Sequence, residues 1–209
     1  LDKPLVIQYF NYMGNLVQGD FGKSLASGEP AMGKVLTMLP ATLLIAGLAM
    51  AFSIIVAIPL GAWLGFKPER ADRRSVSGII FVFQGVPGFV TALIFIQVFA
   101  VNLRWLPSLG MEWGTIIDWA ITESFSIPIP VPSKTWILPA ASLSWFLMPS
   151  LTRVVAANTA EAMREDYIRT ARAGGAPAST LLWRHALPNA LLGAAALIGT
   201  QFAFLMGGA

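Results

Sequence analysis

The sequence predicts an all-α bundle of several membrane-crossing helices, and three observations predict it. Hydrophobic residues make up 56% of the 209 positions and charged ones 12%, against roughly 45–50% and about 25% in ordinary soluble domains. The charges are gathered into short stretches, which leaves uncharged runs long enough to cross a bilayer. The mean hydropathy is +0.66. With no cysteine there is no disulfide framework or thiolate metal site, and the single histidine, His185, further limits metal and nucleophile chemistry. No cofactor and no metal is expected. The net charge of +3 comes from bases interleaved with acids and lacking an aromatic-basic face, so the composition points to membrane lipid and away from nucleic acid.

Residues 1–33 read as an outward-facing interfacial segment. Leu5, Val6, Tyr9, Phe10, Met13, Leu16 and Val17 recur at helical spacing, opposite Gln8, Asn11, Asn15 and Gln18. Such a helix lies in the outer interface rather than crossing it. The following "GDFGKS" (residues 19–24) ends as a phosphate-binding P-loop does. That loop also needs a glycine five positions before Gly22, where Val17 stands, so a turn is expected.

Residues 34–209 read as the transmembrane domain. Between Lys34 and Lys67 lie 32 uncharged residues and between Arg74 and Arg104 another 29, where about 20 helical residues suffice for one crossing. A third, shorter run from Thr135 to Thr152 contains Pro139 and Pro149 and is extended through "RVVAAN". A fourth begins near Ala186. Pro59 with Gly61, and "GVPG" at 85–88, are expected to interrupt helices, as they do where a chain lines a translocation route. Gln84, Pro87 and Gly88 are therefore candidates for that route. Gln84, Gln97 and Gln201 are the polar groups most in need of an inward-facing partner. No carboxylate is expected deep in the first, second or fourth span, which speaks against a proton- or sodium-coupled carrier. The chain starts at Leu1 and stops inside an uncharged run, and is read as a fragment lacking the first and last spans.

Lys67, Arg70, Arg73 and Arg74 fall in one connection; Arg164, Arg169, Arg172 and Arg184 fall in the stretch 158–188. Both lie on the same side of an alternating path, the cytoplasm by the positive-inside rule. The proline-rich connection 102–134 then faces outward and is expected to be extended. The stretch from Asn158 onward is more than a turn. Alanines and Glu/Arg pairs such as Glu165 with Arg169 predict a helix over 159–173, Gly174–Gly175 stop it, and Pro177 opens a second one.

That elbow carries a resemblance. In the permease subunits of ABC importers an EAA loop has three lead positions, a glycine, nine residues and then I-x-L-P. Here Arg169, Thr170 and Ala171 stand at the lead positions, Gly175 at the glycine, and His185-Ala186-Leu187-Pro188 at the end. Ala171, Gly175, Leu187 and Pro188 match, whereas Arg169, Thr170 and His185 depart. "DYIRTARA", "RHALPNALL", "LPATLLIAG", "IPLGAWLG" and "LPSLG" resemble the dipeptide, oligopeptide and nickel branch of the same family. The resemblance implies a type I-like importer transmembrane domain in the bacterial inner membrane, not itself an enzyme. It also implies partners: cytoplasmic ATP-binding subunits, a second, related permease subunit, and an extracytoplasmic solute-binding protein. A short helix around Ala171–Leu182 would be the coupling helix, with Gly175 allowing the bend and close approach, Ala171 keeping the docking face small, and Leu187 and Pro188 marking the return into the membrane. The rival class, an ATP-independent carrier or channel, rests on the interrupted helices alone.

Overall fold

The computed structural model describes residues 4–24, 28–108, 113–115, 128–130 and 134–208. Its helices are α1 (Leu5–Val17), α2 (Ala31–Phe66), α3 (Ala71–Gln84), α4 (Gly88–Phe95, continuing as a π-helical turn Ile96–Asn102), α5 (Ile137–Ala162), α6 (Asp166–Ala173), α7 (Ala178–Thr180) and α8 (Leu187–Gly208). A π-helical segment, Leu181–Ala186, joins α7 to α8 without a break. By its contacts the chain divides into two compact units, Leu1–Thr42 with Trp113–Val131, and Leu43–Glu112 with Pro132–Ala209.

In the first unit α1 buries none of its residues, and Leu5, Val6, Phe10 and Val17 are exposed. "GDFGKS" forms a turn: the Asp20 carboxylate accepts from the Gly22 amide at 2.9 Å, Gly19 and Gly22 take positive φ, and Lys23 bridges to Pro30. In the connection between α4 and α5 two short strands, β1 (Trp113–Thr115) and β2 (Pro128–Pro130), pair antiparallel with Trp113 opposite Pro130. Extended backbone is what its prolines favour.

Among the described residues three helical stretches are long and apolar enough to cross a membrane: Ala31–Phe66, Lys134–Ala162 and Ala178–Gly207. The pair α3–α4, bent by 99° at the "GVP" break, supplies a fourth when counted as one crossing. Pro87 opens α4 with ψ 138°, and the residue before a proline avoids helical geometry. The last crossing helix starts at Ala178 rather than near Ala186.

The expected interruption at Pro59 and Gly61 does not occur, because α2 runs unbroken through both. One proline removes one backbone donor, and the surrounding helix holds. Gly61 serves packing instead. A Cβ there would lie 2.7 Å from the Thr152 carbonyl, and one at Gly65 would strike the Ala156 carbonyl. Lipid offers no hydrophobic drive between helices, so close backbone approach at small residues is what joins them.

These contacts also set direction. Residues 53, 61 and 65 of α2 meet 144, 152 and 156 of α5 in ascending order, so the two helices run parallel. The 67–70 turn and the end of α5 therefore share one side, as the charge pattern requires. Helix α8 returns antiparallel: the Asn158 amide donates to the Ala190 carbonyl at 3.0 Å, and Gln201 donates to Ser150. Ala57, Ala62, Leu151, Val155, Leu187 and Ala194 form the core between α2, α5 and α8.

Candidate functional site

Two arrangements in the second unit can carry function. The first is the elbow between α5 and α8. The single helix expected over 159–173 is broken at 163–165, where Glu165 turns extended with ψ 152° to begin α6. Ala162 and Ile168 explain the break. Six residues apart on a straight helix they would point about 120° from each other, whereas the reversal lets both enter one buried cluster with Leu181 and Ala186. The break also dissolves the expected Glu/Arg ladder. Arg169 pairs with Asp166 at 3.2 Å instead.

Gly174 and Gly175 close α6 in a Schellman motif. The Gly175 amide donates to the Arg172 carbonyl at 3.0 Å, and the Ala176 amide to the Ala171 carbonyl at 3.1 Å. Gly175 has φ +82°, a conformation in which any Cβ is strained. The bend assigned to Gly175 is therefore present; the close approach is not made within this chain, where a Cβ would meet nothing within 4 Å. The glycine pair also divides the short helix expected over Ala171–Leu182 into the end of α6 and the start of α7.

The remaining residues of the loop pattern fall on different faces. Arg169 and Thr170 are exposed, the Thr170 hydroxyl donating back to the Asp166 carbonyl at 3.0 Å. Ala171 is half-buried with Ala176 against the elbow's own core, so its smallness serves inward packing. Leu187 is buried in the main core, and Pro188 is exposed inside the continuous helix. Pro188 cannot donate to the Arg184 carbonyl and its ring crowds it. The widened π turn precedes that point, and the return into the bundle has already begun at Ala178. The elbow is tied down by the Asn189 amide donating to the Tyr167 hydroxyl at 2.9 Å. Such a unit is exposed outside and anchored inside, so it can transmit a push.

The second arrangement is a polar seam along α5. Gln84, one of the three candidates for the route, accepts from Arg153 at 2.8 Å and lines two cavities, one of about 560 Å³ and one of about 380 Å³. Pro87 and Gly88 line neither. They make the bend, and a Cβ added at Gly88 would meet the Phe146 ring at 3.7 Å, an ordinary contact. Gln201 finds Ser150, and Gln97 donates to Asn102 at 3.3 Å.

Sequence reasoning missed two arginines. Arg153 sits well inside α5, and Arg73, assigned to the connection after α2, is a buried residue of α3. The signal for Arg153 was legible: a base within a stretch already extended as a span. Arg73 had none, because its neighbours Arg70 and Arg74 read as ordinary loop charges.

The family model of binding-protein-dependent transport system inner membrane components matches residues 57–209. The oligopeptide transport system permease protein AppB of Bacillus subtilis strain 168 is 33% identical over 209 residues, all of this chain and 63% of that protein. The glutathione transport system permease protein GsiC of Escherichia coli strain K12 is 32% identical over 213 aligned positions, again all of this chain and 62% of that protein. The chain thus spans somewhat under two thirds of the length of these relatives.

Proposed function

Because the chain belongs to the family of binding-protein-dependent transport system inner membrane components, we propose that it acts as one membrane-spanning permease subunit of an ATP-driven importer. It is a multi-pass protein of the inner membrane. The solute class is peptides or small peptide-like molecules such as those named for AppB and GsiC, delivered from outside by a solute-binding protein. A second permease subunit completes the path, and separate cytoplasmic subunits hydrolyse ATP.

The observation that carries this reading is the elbow. Its outer surface offers Arg169, Thr170 and the Gly174–Gly175 corner, while Ile168 and the Tyr167–Asn189 hydrogen bond fix it to α5 and α8. When ATP draws the two ATPase subunits together, the docked elbows move with them, and the parallel α2–α5 pair is carried along. This works only if docking differs in free energy between the inward-open and outward-open states. An ATP-independent carrier or channel has no support from a family defined by its dependence on binding proteins.

Cysteine pairs test the reading. Cysteines replace exposed Arg172 and Ser179 in the full-length protein, co-expressed with its ATPase subunit carrying partner cysteines. Cross-links whose yield changes with ATP are expected. Correct insertion with no cross-link at either position would overturn it.

A further inference from the structure

Among the described residues, the groove between α3 and α5 holds three guanidinium groups and no carboxylate. Arg73, Arg74, Ser77, Gln84, Ser150 and Arg153 line the larger cavity, and none of its lining residues is acidic. Arg73 is 8% exposed, and its buried Nε and Nη1 have no hydrogen-bond partner. The rings of Trp63 at 5.1 Å and Phe66 at 5.6 Å lie against its charge. Arg153 meets only neutral groups, the Gln84 carbonyl oxygen and the Phe81 ring at 5.5 Å. Among the described residues no carboxylate lies within 4 Å of any of the three guanidinium groups; the nearest acid in sequence, Asp72, pairs with Arg70 and also feels the Arg73 charge.

Uncompensated charge in a membrane bundle is costly, and intramembrane bases face a partner or a polar path. The planar fork of a guanidinium matches a carboxylate through two parallel hydrogen bonds. We infer that this groove is a carboxylate-binding station on the solute's route, taking the terminal carboxylate of a peptide-class solute. The inference rests on the import reading. One observation favours a moving solute over a lipid headgroup. Gln84 and Ser150 are shared with the second cavity, where Thr200 and Gln201 continue the polar wall. There the Gln201 Oε1 is buried and unpartnered.

The test is equilibrium binding of tri-alanine to the full-length permease, assembled with its partner subunits in lipid nanodiscs and without the binding protein, competed by tri-alanine amide. The amide is expected to compete at least about tenfold less well. Arg153→Gln should erase that ratio, and Arg153→Lys should keep part of it. If Arg153→Gln does not assemble, Arg74→Gln, on an exposed part of the groove, is read by the same ratio. Equal competition by acid and amide in the wild type, or an unchanged ratio in an assembled variant, overturns the station. So does a tightly held anionic phospholipid present in the wild type and lost in Arg153→Gln, which would give the charge to a headgroup. ATP-driven uptake of tri-alanine into vesicles, with the binding protein added, separates the two readings. Uptake without acid preference in binding removes the station alone; no ATP-driven uptake removes the import reading and the station with it.

Discussion

Glycine does two different jobs in this chain, and the difference is testable at single residues. At Gly175 the backbone requires φ +82° while space is open. Gly175→Val therefore costs about 1–2 kcal/mol of left-handed strain that the elbow can relieve only by losing its Schellman corner. Uptake per ATP hydrolysed is expected to fall severalfold in the reconstituted complex, with insertion unchanged; an unaltered ratio would show that the corner does not couple. At Gly65 the conformation is ordinary helix and the space is filled by Ala156 and Thr159. Gly65→Val should lower the folded yield and destabilise the bundle by about 1–3 kcal/mol. Gly47→Ala, where nothing lies within 4 Å inside α2, should be neutral or stabilising by up to about 1 kcal/mol. Thermal unfolding in detergent compares the two, and equal midpoints would sink the packing assignment. The Gly175 corner was legible from the Gly174–Gly175 pair and the following Pro177. The role of Gly61 was not, since a glycine two residues after Pro59 reads as a breaker until the facing helix is known, and nothing in the sequence singled out Gly65.

At the scale of elements, the bend between α3 and α4 and the break between α5 and α6 have separate causes. The first is local: Val86 precedes Pro87, and a residue before proline avoids helical backbone. Pro87→Ala is therefore expected to straighten the pair. The change is read as a longer distance between spin labels at Ser77 and Leu93, both exposed; an unchanged distance would shift the cause to packing, such as the Phe83–Trp145 and Phe95–Trp145 ring contacts. The second break is tertiary, since Ala162 and Ile168 turn toward one cluster. Helix propensity over 159–173 was read correctly residue by residue, yet it yielded one helix where burial of Ile168 demands two. In the same way the continuous helix from Ala178 absorbs Pro188 through a π turn, a solution that no local proline rule selects.

For the whole molecule, orientation joins the charge pattern to the packing. Since α2 and α5 run parallel, the 67–70 turn and the elbow share one side, and the segment around Trp105 lies at the other end of the bent α3–α4 pair. Single cysteines at Glu69 and Arg172 should react with a membrane-impermeant reagent only from the cytoplasmic side, and one at Trp105 only from outside. Reaction of Glu69 and Arg172 positions from opposite sides would require the α3–α4 pair or α5 to cross differently.

What the sequence by itself determined is the set of spans and the family, because hydropathy and the spacing from Gly175 to Pro188 are properties of short stretches. Only the tertiary structure decided which glycines are contact points, where the elbow breaks, and that Arg73 and Arg153 share a groove lined, among the described residues, by no acid. The glycine contacts and the groove depend on residues some 69 to 91 positions apart being brought together, as Gln84 meets Arg153 and Ser53 meets Ser144, and the elbow on Ala162, Ile168, Leu181 and Ala186 meeting in one cluster. In lipid such meetings are chosen by close packing and unmet hydrogen bonds, which no single helix displays.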